Sequence, residues 1–139
     1  YNTAGEDRHA GYRRALAAHG IPYDERLVAE GDFSQESGYR AMQQLLPAAP
    51  DAVFVASDLM GIGAQRAIRE SGLRIPDDIA IVGFDDFPHA AYAEPPLTTI
   101  RQPIERLGPI AIEILQQAIA QNGLVESKVL PVELVIRET

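Results

Sequence analysis

The chain has 139 residues, 46% hydrophobic and 23% charged, a balance that suits one domain with a packed core and excludes disorder. A net charge of −8 and a pI near 4.8 exclude a strong direct grip on nucleic acid, which calls for a basic patch. With no cysteine there are no disulfides and no thiolate or cysteine–metal chemistry, and such usage fits a reducing cytoplasm, where the protein is expected.

Glu6 to His19 reads as a helix with Tyr12, Ala15 and Leu16 on its apolar stripe; Gly20 stops it and Pro22 follows. Leu27 to Ala29 is a short predicted strand. Ser34 has the chemistry of an N-cap, since its hydroxyl can accept from a free amide at the helix start. Behind it Tyr39, Met42, Leu45 and Leu46 recur at helical spacing until Pro47. Ala52-Val53-Phe54-Val55-Ala56 is a continuous apolar run, the pattern of a strand buried on both faces. Ser57 or Asp58 caps the next helix, which runs to about Ser71, with Gly72 at its C′ position and Leu73 beyond. After the Pro76-Asp77-Asp78 turn, Ile79 to Phe84 is a second buried strand.

Alternating helices and strands predict an α/β fold, with parallel strands joined by right-handed helical crossovers. Asp85 to Gln102, with Pro88, Pro95 and Pro96, lacks periodicity and reads as a long functional loop. Pro103 opens a helix carrying Ile104, Leu107, Ala111, Ile114, Leu115 and Ala118. Pro109 inside it predicts a kink, or a start nearer Gly108. Val129 to Arg137 alternates as a final strand. No apolar run reaches the length of a membrane span, and no signal-peptide pattern is visible.

Parallel α/β sheets bind ligands beyond the C-terminal ends of their strands. That rule selects Gly31-Asp32-Phe33, Ser57-Asp58 and Asp85-Asp86. Neighbouring residues at a strand end point in different directions, so Asp85 and Asp86 do not read as a shared-proton acid/base pair. Asp58 suits either a helix cap or a ligand contact. Arg8, taken alone, reads as an exposed arginine one turn before Tyr12. His9, His19 and His89 lack metal-ligand spacing, so no metal site is expected. No serine stands in a G-x-S-x-G elbow. Gly61-Ile62-Gly63 lies inside a predicted helix without a third glycine, which fails the dinucleotide fingerprint and suits close helix packing. No nucleophile, base and orienting group converge, so neither an enzyme nor a cofactor is expected.

Several blocks resemble the LacI/GalR family of bacterial regulators across essentially the whole chain. They are Asp7-Arg8-His9-Ala10-Gly11-Tyr12, Gly31-Asp32-Phe33, Ala56-Ser57-Asp58-Leu59-Met60-Gly61, Val82-Gly83-Phe84-Asp85-Asp86 and, most specific, Pro95-Pro96-Leu97-Thr98-Thr99-Ile100-Arg101-Gln102-Pro103. The resemblance implies a three-layer parallel-sheet lobe of the periplasmic-binding-protein-like type. It implies non-enzymatic sensing of a small effector, a sugar or alternatively a nucleobase, coupled to operator DNA through a helix-turn-helix that this chain does not contain. A sugar-binding protein of a transport system is the alternative with the same fold. Implied effector contacts are Arg8, Phe33, Ser57, Asp58 and Asp85, with Ser57 standing where many members have asparagine. Implied contacts of a homodimer are Met60, Ile62 and Tyr92, with core packing as the competing reading. Residues 1–103 and 128–139 are expected to form one lobe. Residues 104–127 are expected to pack on an N-terminal lobe outside this chain, leaving the helix to pack on its own sheet or to exchange between two copies.

Overall fold

The computed structural model describes residues 3–121, 123 and 125–139. Helix α1 spans Thr3–Ala18, α2 Gln35–Leu45 and α3 Asp58–Glu70. Strand β1 spans Ala52–Phe54, β2 Ala80–Asp85, β3 Thr98–Arg101 and β4 Glu133–Val135. A short helix, α4, covers Pro88–Ala91, and α5 covers Ile104–Gln121. The strands lie in the order β1-β2-β3-β4. The first three run parallel, with Phe54 beside Val82 and Gly83 beside Thr99, and β4 returns antiparallel with Glu133 beside Arg101. The α/β class with a mainly parallel sheet is as expected.

The local starts follow from capping chemistry. The Ser34 hydroxyl accepts from the Ser37 amide and opens α2. At α3 the cap is Ser57, not Asp58, its hydroxyl accepting from the Met60 amide at 3.3 Å. Gly72 takes φ +82° just past that helix, a conformation natural to glycine. Helices α2 and α3 cross closely because Gly38 and Gly63 face one another's backbones. A Cβ at Gly63 would overlap the Gln35 carbonyl, and one at Gly38 would overlap the Met60 backbone. Around this contact Met42, Leu45, Val55, Ile68, Ile81 and Leu97 form the core.

Five expectations are corrected. Leu27 to Ala29 is not a strand: a 3-10 turn covers Glu25–Leu27, because Asp24 accepts from the Arg26 amide and caps it. The apolar run from Ala52 is an edge strand, not one buried on both faces; among the described residues it pairs only with β2, and Phe54 is 41% exposed. The stretch from Asp85 to Gln102 is not one loop, since it contains α4 and the interior strand β3. Helix α5 starts at Ile104 and runs through Pro109, so it does not begin near Gly108. It does not fold back on its own sheet either: Ile104, Leu107, Ile112, Leu115 and Ile119 are all exposed. Of the expected segment 104–127, Asn122 and Leu124 lie outside the described residues.

The end of the chain is fastened to the sheet. Thr139 Oγ1 donates to the Ile81 carbonyl at 2.6 Å, and the Thr98 amide donates to the same Oγ1 at 2.9 Å. This ties the last residues to the N-terminal ends of β2 and β3, opposite the strand ends where the candidate site lies.

Candidate functional site

Arg8 projects from α1 across the C-terminal end of β1. Its Nη1 donates to the Ala56 carbonyl at 2.6 Å, and its Nη2 stands 3.6 Å from Asp85 Oδ1 at the end of β2. The guanidinium carbon lies 3.9 Å from the Phe84 ring centroid and 5.8 Å from that of Phe33. A cation against aromatic faces is favourable and fixes the guanidinium plane. Arg8, Phe33 and Asp85, which the sequence places on three separate segments, therefore meet.

Phe33 is carried by a tight loop at φ +67°. The loop is held by Asp32, whose Oδ1 accepts from the Ser34 amide at 3.0 Å, while the Asp32 amide donates to Ser37 Oγ at 3.0 Å. Hydrogen bonds from Ser34 and Ser37 lower the Asp32 pKa to about 2.

Asp85 and Asp86 also have positive φ, 116° and 56°. Such backbone costs on the order of 1–3 kcal/mol per residue and persists where surroundings hold it. Gln102 Nε2 donates to Asp85 Oδ1 at 2.7 Å. Arg101 Nε and Arg137 Nη2 donate to the two oxygens of Asp86 at 2.6 and 2.5 Å. Burial raises the Asp85 pKa, and Arg8 and Gln102 only partly offset it. At Asp86 burial also opposes ionisation, but Arg137 and Arg101 outweigh it and hold the pKa below its ordinary value. The two aspartates are thus electrostatically different, as expected for side chains pointing apart.

Ser57 and Asp58 are both buried, their side chains bonded to other groups of the chain. Ser57 is buried and its hydroxyl caps α3. Asp58 is completely buried, Oδ1 accepting from the Thr99 hydroxyl at 2.5 Å and Oδ2 from the Phe87 amide at 2.8 Å. Met60 is only 6% exposed and packs in the core, the competing reading for that residue, whereas Tyr92 is 88% exposed. Gln102, Arg101 and Arg137 were not anticipated as site residues. For Arg101 and Gln102 the signal in the sequence was the polar end of the Thr98–Pro103 block, which reads as a loop until β3 is seen beside β2; Arg137 comes from the separate segment after β4.

A cavity of about 400 Å³ runs along the free edge of β1, from Arg8 and Phe33 at one end to Leu45 and Pro50 at the other. It is mainly apolar and does not include Asp85, so it is not by itself a polar ligand site.

The sequence profile of the periplasmic binding protein-like domain matches residues 2–139. The chain belongs to that family. The regulator CelR of Thermobifida fusca is 48% identical over 140 residues, 99% of this chain and 41% of that protein. The repressor PurR of Erwinia tasmaniensis is 48% identical over 123 residues, 87% of this chain and 36% of that protein. A solved complex of CelR with cellobiose superposes with a TM-score of 0.89 at 45% identity, covering 96% of this chain and 42% of that one. The Lac repressor bound to ONPG superposes with a TM-score of 0.91 at 38% identity, covering 98% and 42%. The resemblance to LacI/GalR regulators is borne out, and these relatives favour a regulator over a transport protein. This periplasmic binding protein-like chain spans about two fifths of the length of the relatives it matches.

Proposed function

We propose that the chain is the effector-sensing region of a bacterial transcriptional repressor and that it takes a sugar between Arg8 and Asp85. The observation that carries this reading is the meeting of a guanidinium and a carboxylate, 3.6 Å apart, beside the Phe33 and Phe84 rings. A guanidinium donates paired hydrogen bonds to hydroxyls, a carboxylate accepts them, and a ring covers the apolar face of a pyranose. The sugar displaces the direct ion pair and satisfies both partners. Similarity to CelR, solved with cellobiose, supports a saccharide over a nucleobase.

In this reading residues 1–103 and 128–139 are one lobe, and 104–127 belongs against a second lobe. Effector binding shifts the lobes' equilibrium and so the operator affinity of a homodimer, through a helix-turn-helix outside this chain. Tyr92 and Ile62 lie on the dimer-forming side, the protein is cytoplasmic, and it performs no catalysis.

The test is calorimetric titration of the full-length protein with a sugar panel that includes cellobiose. The expected result is saturable heat with one sugar. Asp85→Ala should abolish both that heat and release from operator, with operator binding retained. Release that survives Asp85→Ala overturns the site. The isolated 139-residue chain, with one wall of the cleft, should bind the same sugar weakly or undetectably; submicromolar binding by it counts against the two-lobe reading.

A further inference from the structure

Asp58 is the buried charge that the effector reading does not use. Its carboxylate is fully enclosed, and no cation pairs with it among the described residues. Burying a carboxylate without a counter-charge is unfavourable unless its oxygens are hydrogen-bonded. Both are: Oδ1 accepts from Thr99 on β3, and Oδ2 accepts from the backbone amide of Phe87. Burial still raises its pKa, with Asp85 and Asp86 adding to the rise. The surrounding sequence is built to admit the group. Gly83, in the middle of β2, has no Cβ where one would overlap Asp58 Oδ1.

The amide that Asp58 holds follows directly on the two residues with positive φ. From Asp85 to Phe87 the chain must leave β2, turn through two unfavourable conformations and enter α4. Side chains of Gln102, Arg101 and Arg137 hold the two aspartates from the β3 and β4 side. Asp58 holds the far end of the same turn from beneath, through the backbone. Without that bond the Phe87 amide would be unanswered and the turn free to relax, taking Asp85 away from Arg8.

Resting on the effector reading for what the turn does, we propose that Asp58 is a positioning residue. It fixes the Asp85–Phe87 turn so that the Asp85 carboxylate stands opposite Arg8, and it does not itself touch the effector. This reassigns a residue whose place at a strand end points to ligand contact.

The test uses the full-length protein and two readouts, backbone amide exchange without ligand and titration with cellobiose. Asp58→Ala should speed exchange at Asp85 to Phe87 by about tenfold, the size expected for one lost hydrogen bond, and weaken cellobiose by a similar factor. Ile68→Ala, a core truncation at the far end of α3, is the control and should leave both unchanged while the protein is folded. Asp58→Asn should restore both, because its amide oxygen can accept from Phe87 while its NH2 donates to Thr99 Oγ1. Unchanged exchange at the turn in Asp58→Ala overturns the proposal. So does Asp58→Asn losing cellobiose tenfold with the turn intact, the mark of a direct ligand contact, and that arm stands even if the alanine variant does not fold. If the wild type binds no sugar while the turn loosens as stated, the effector reading fails and the positioning role holds.

Discussion

Burial raises the Asp85 pKa, while the Arg8 guanidinium and the Gln102 amide work in the opposite direction without cancelling it. The sign of the consequence differs for folding and for binding. The folded state takes up the proton more readily than the unfolded chain. This group's contribution to stability therefore becomes more favourable as pH falls from the raised folded value toward the ordinary unfolded one. Effector binding needs the carboxylate and goes the other way. Sugar affinity of the full-length protein should begin to fall at a pH above the ordinary aspartate range of about 3.9. Calorimetry at a series of pH values between about 7 and 4 reads this directly. Affinity flat to the ordinary range would mean that Asp85 does not contact the ligand in its charged form. The meeting of Arg8, Phe33 and Asp85 was legible in part: the strand-end rule selects Phe33 and Asp85, and only the family blocks add Arg8, which alone reads as an exposed arginine. For Ser57 and Asp58 the sequence did not show which partners the side chains take. Both follow a strand end, yet at the start of α3 one hydroxyl becomes a cap and one carboxylate a buried acceptor. That outcome depends on Thr99 and Phe87, which are distant in sequence.

Elements with a strong period were readable, and those defined by their neighbours were not. Helices α2 and α3 carry repeating apolar faces and serine caps, so their limits follow from the residues themselves. β3 is four residues between prolines, and its β-branched Thr98, Thr99 and Ile100 were the available sign of a strand. What makes it a strand is the open edge of β2. Conversely, Val28 is a strand-forming residue type in extended backbone, but no strand pairs with it among the described residues. The glycines inside α2 and α3 show a similar dependence. Gly61-Ile62-Gly63 read as a packing motif, and the structure places Gly63 against the Gln35 carbonyl. Gly63→Ala must therefore push the helices apart, at about 1–3 kcal/mol or more. Loss of the Ser34 hydroxyl touches only one amide and should cost about 1 kcal/mol. Urea unfolding of the two variants should show a larger midpoint decrease for Gly63→Ala than for Ser34→Ala. The reverse order would mean that the helix crossing yields more easily than its backbone contact allows.

At the scale of the whole molecule, two apolar features lack a partner within the described residues. One is the cavity along the free edge of β1; the other is α5, tied to the rest by crossover residues and by the Lys128–Glu113 ion pair at 3.0 Å. The five large side chains exposed on α5 each stand to gain roughly 1.5–3 kcal/mol on full burial. An exposed ion pair such as Lys128–Glu113 contributes at most about 1 kcal/mol. The helix therefore has far more to gain from a covering surface than holds it in its present place. Its own sheet does not supply that surface, which leaves association between copies for the 139-residue chain on its own. We expect light scattering to give a mass above the monomer that rises with concentration. Leu107→Glu with Leu115→Glu should lower that mass without loss of helix by circular dichroism, since both side chains are exposed. A monodisperse monomer of the unsubstituted chain would show that α5 is tolerated in water, and the demand for a second lobe would then have to come from the ligand rather than from the helix.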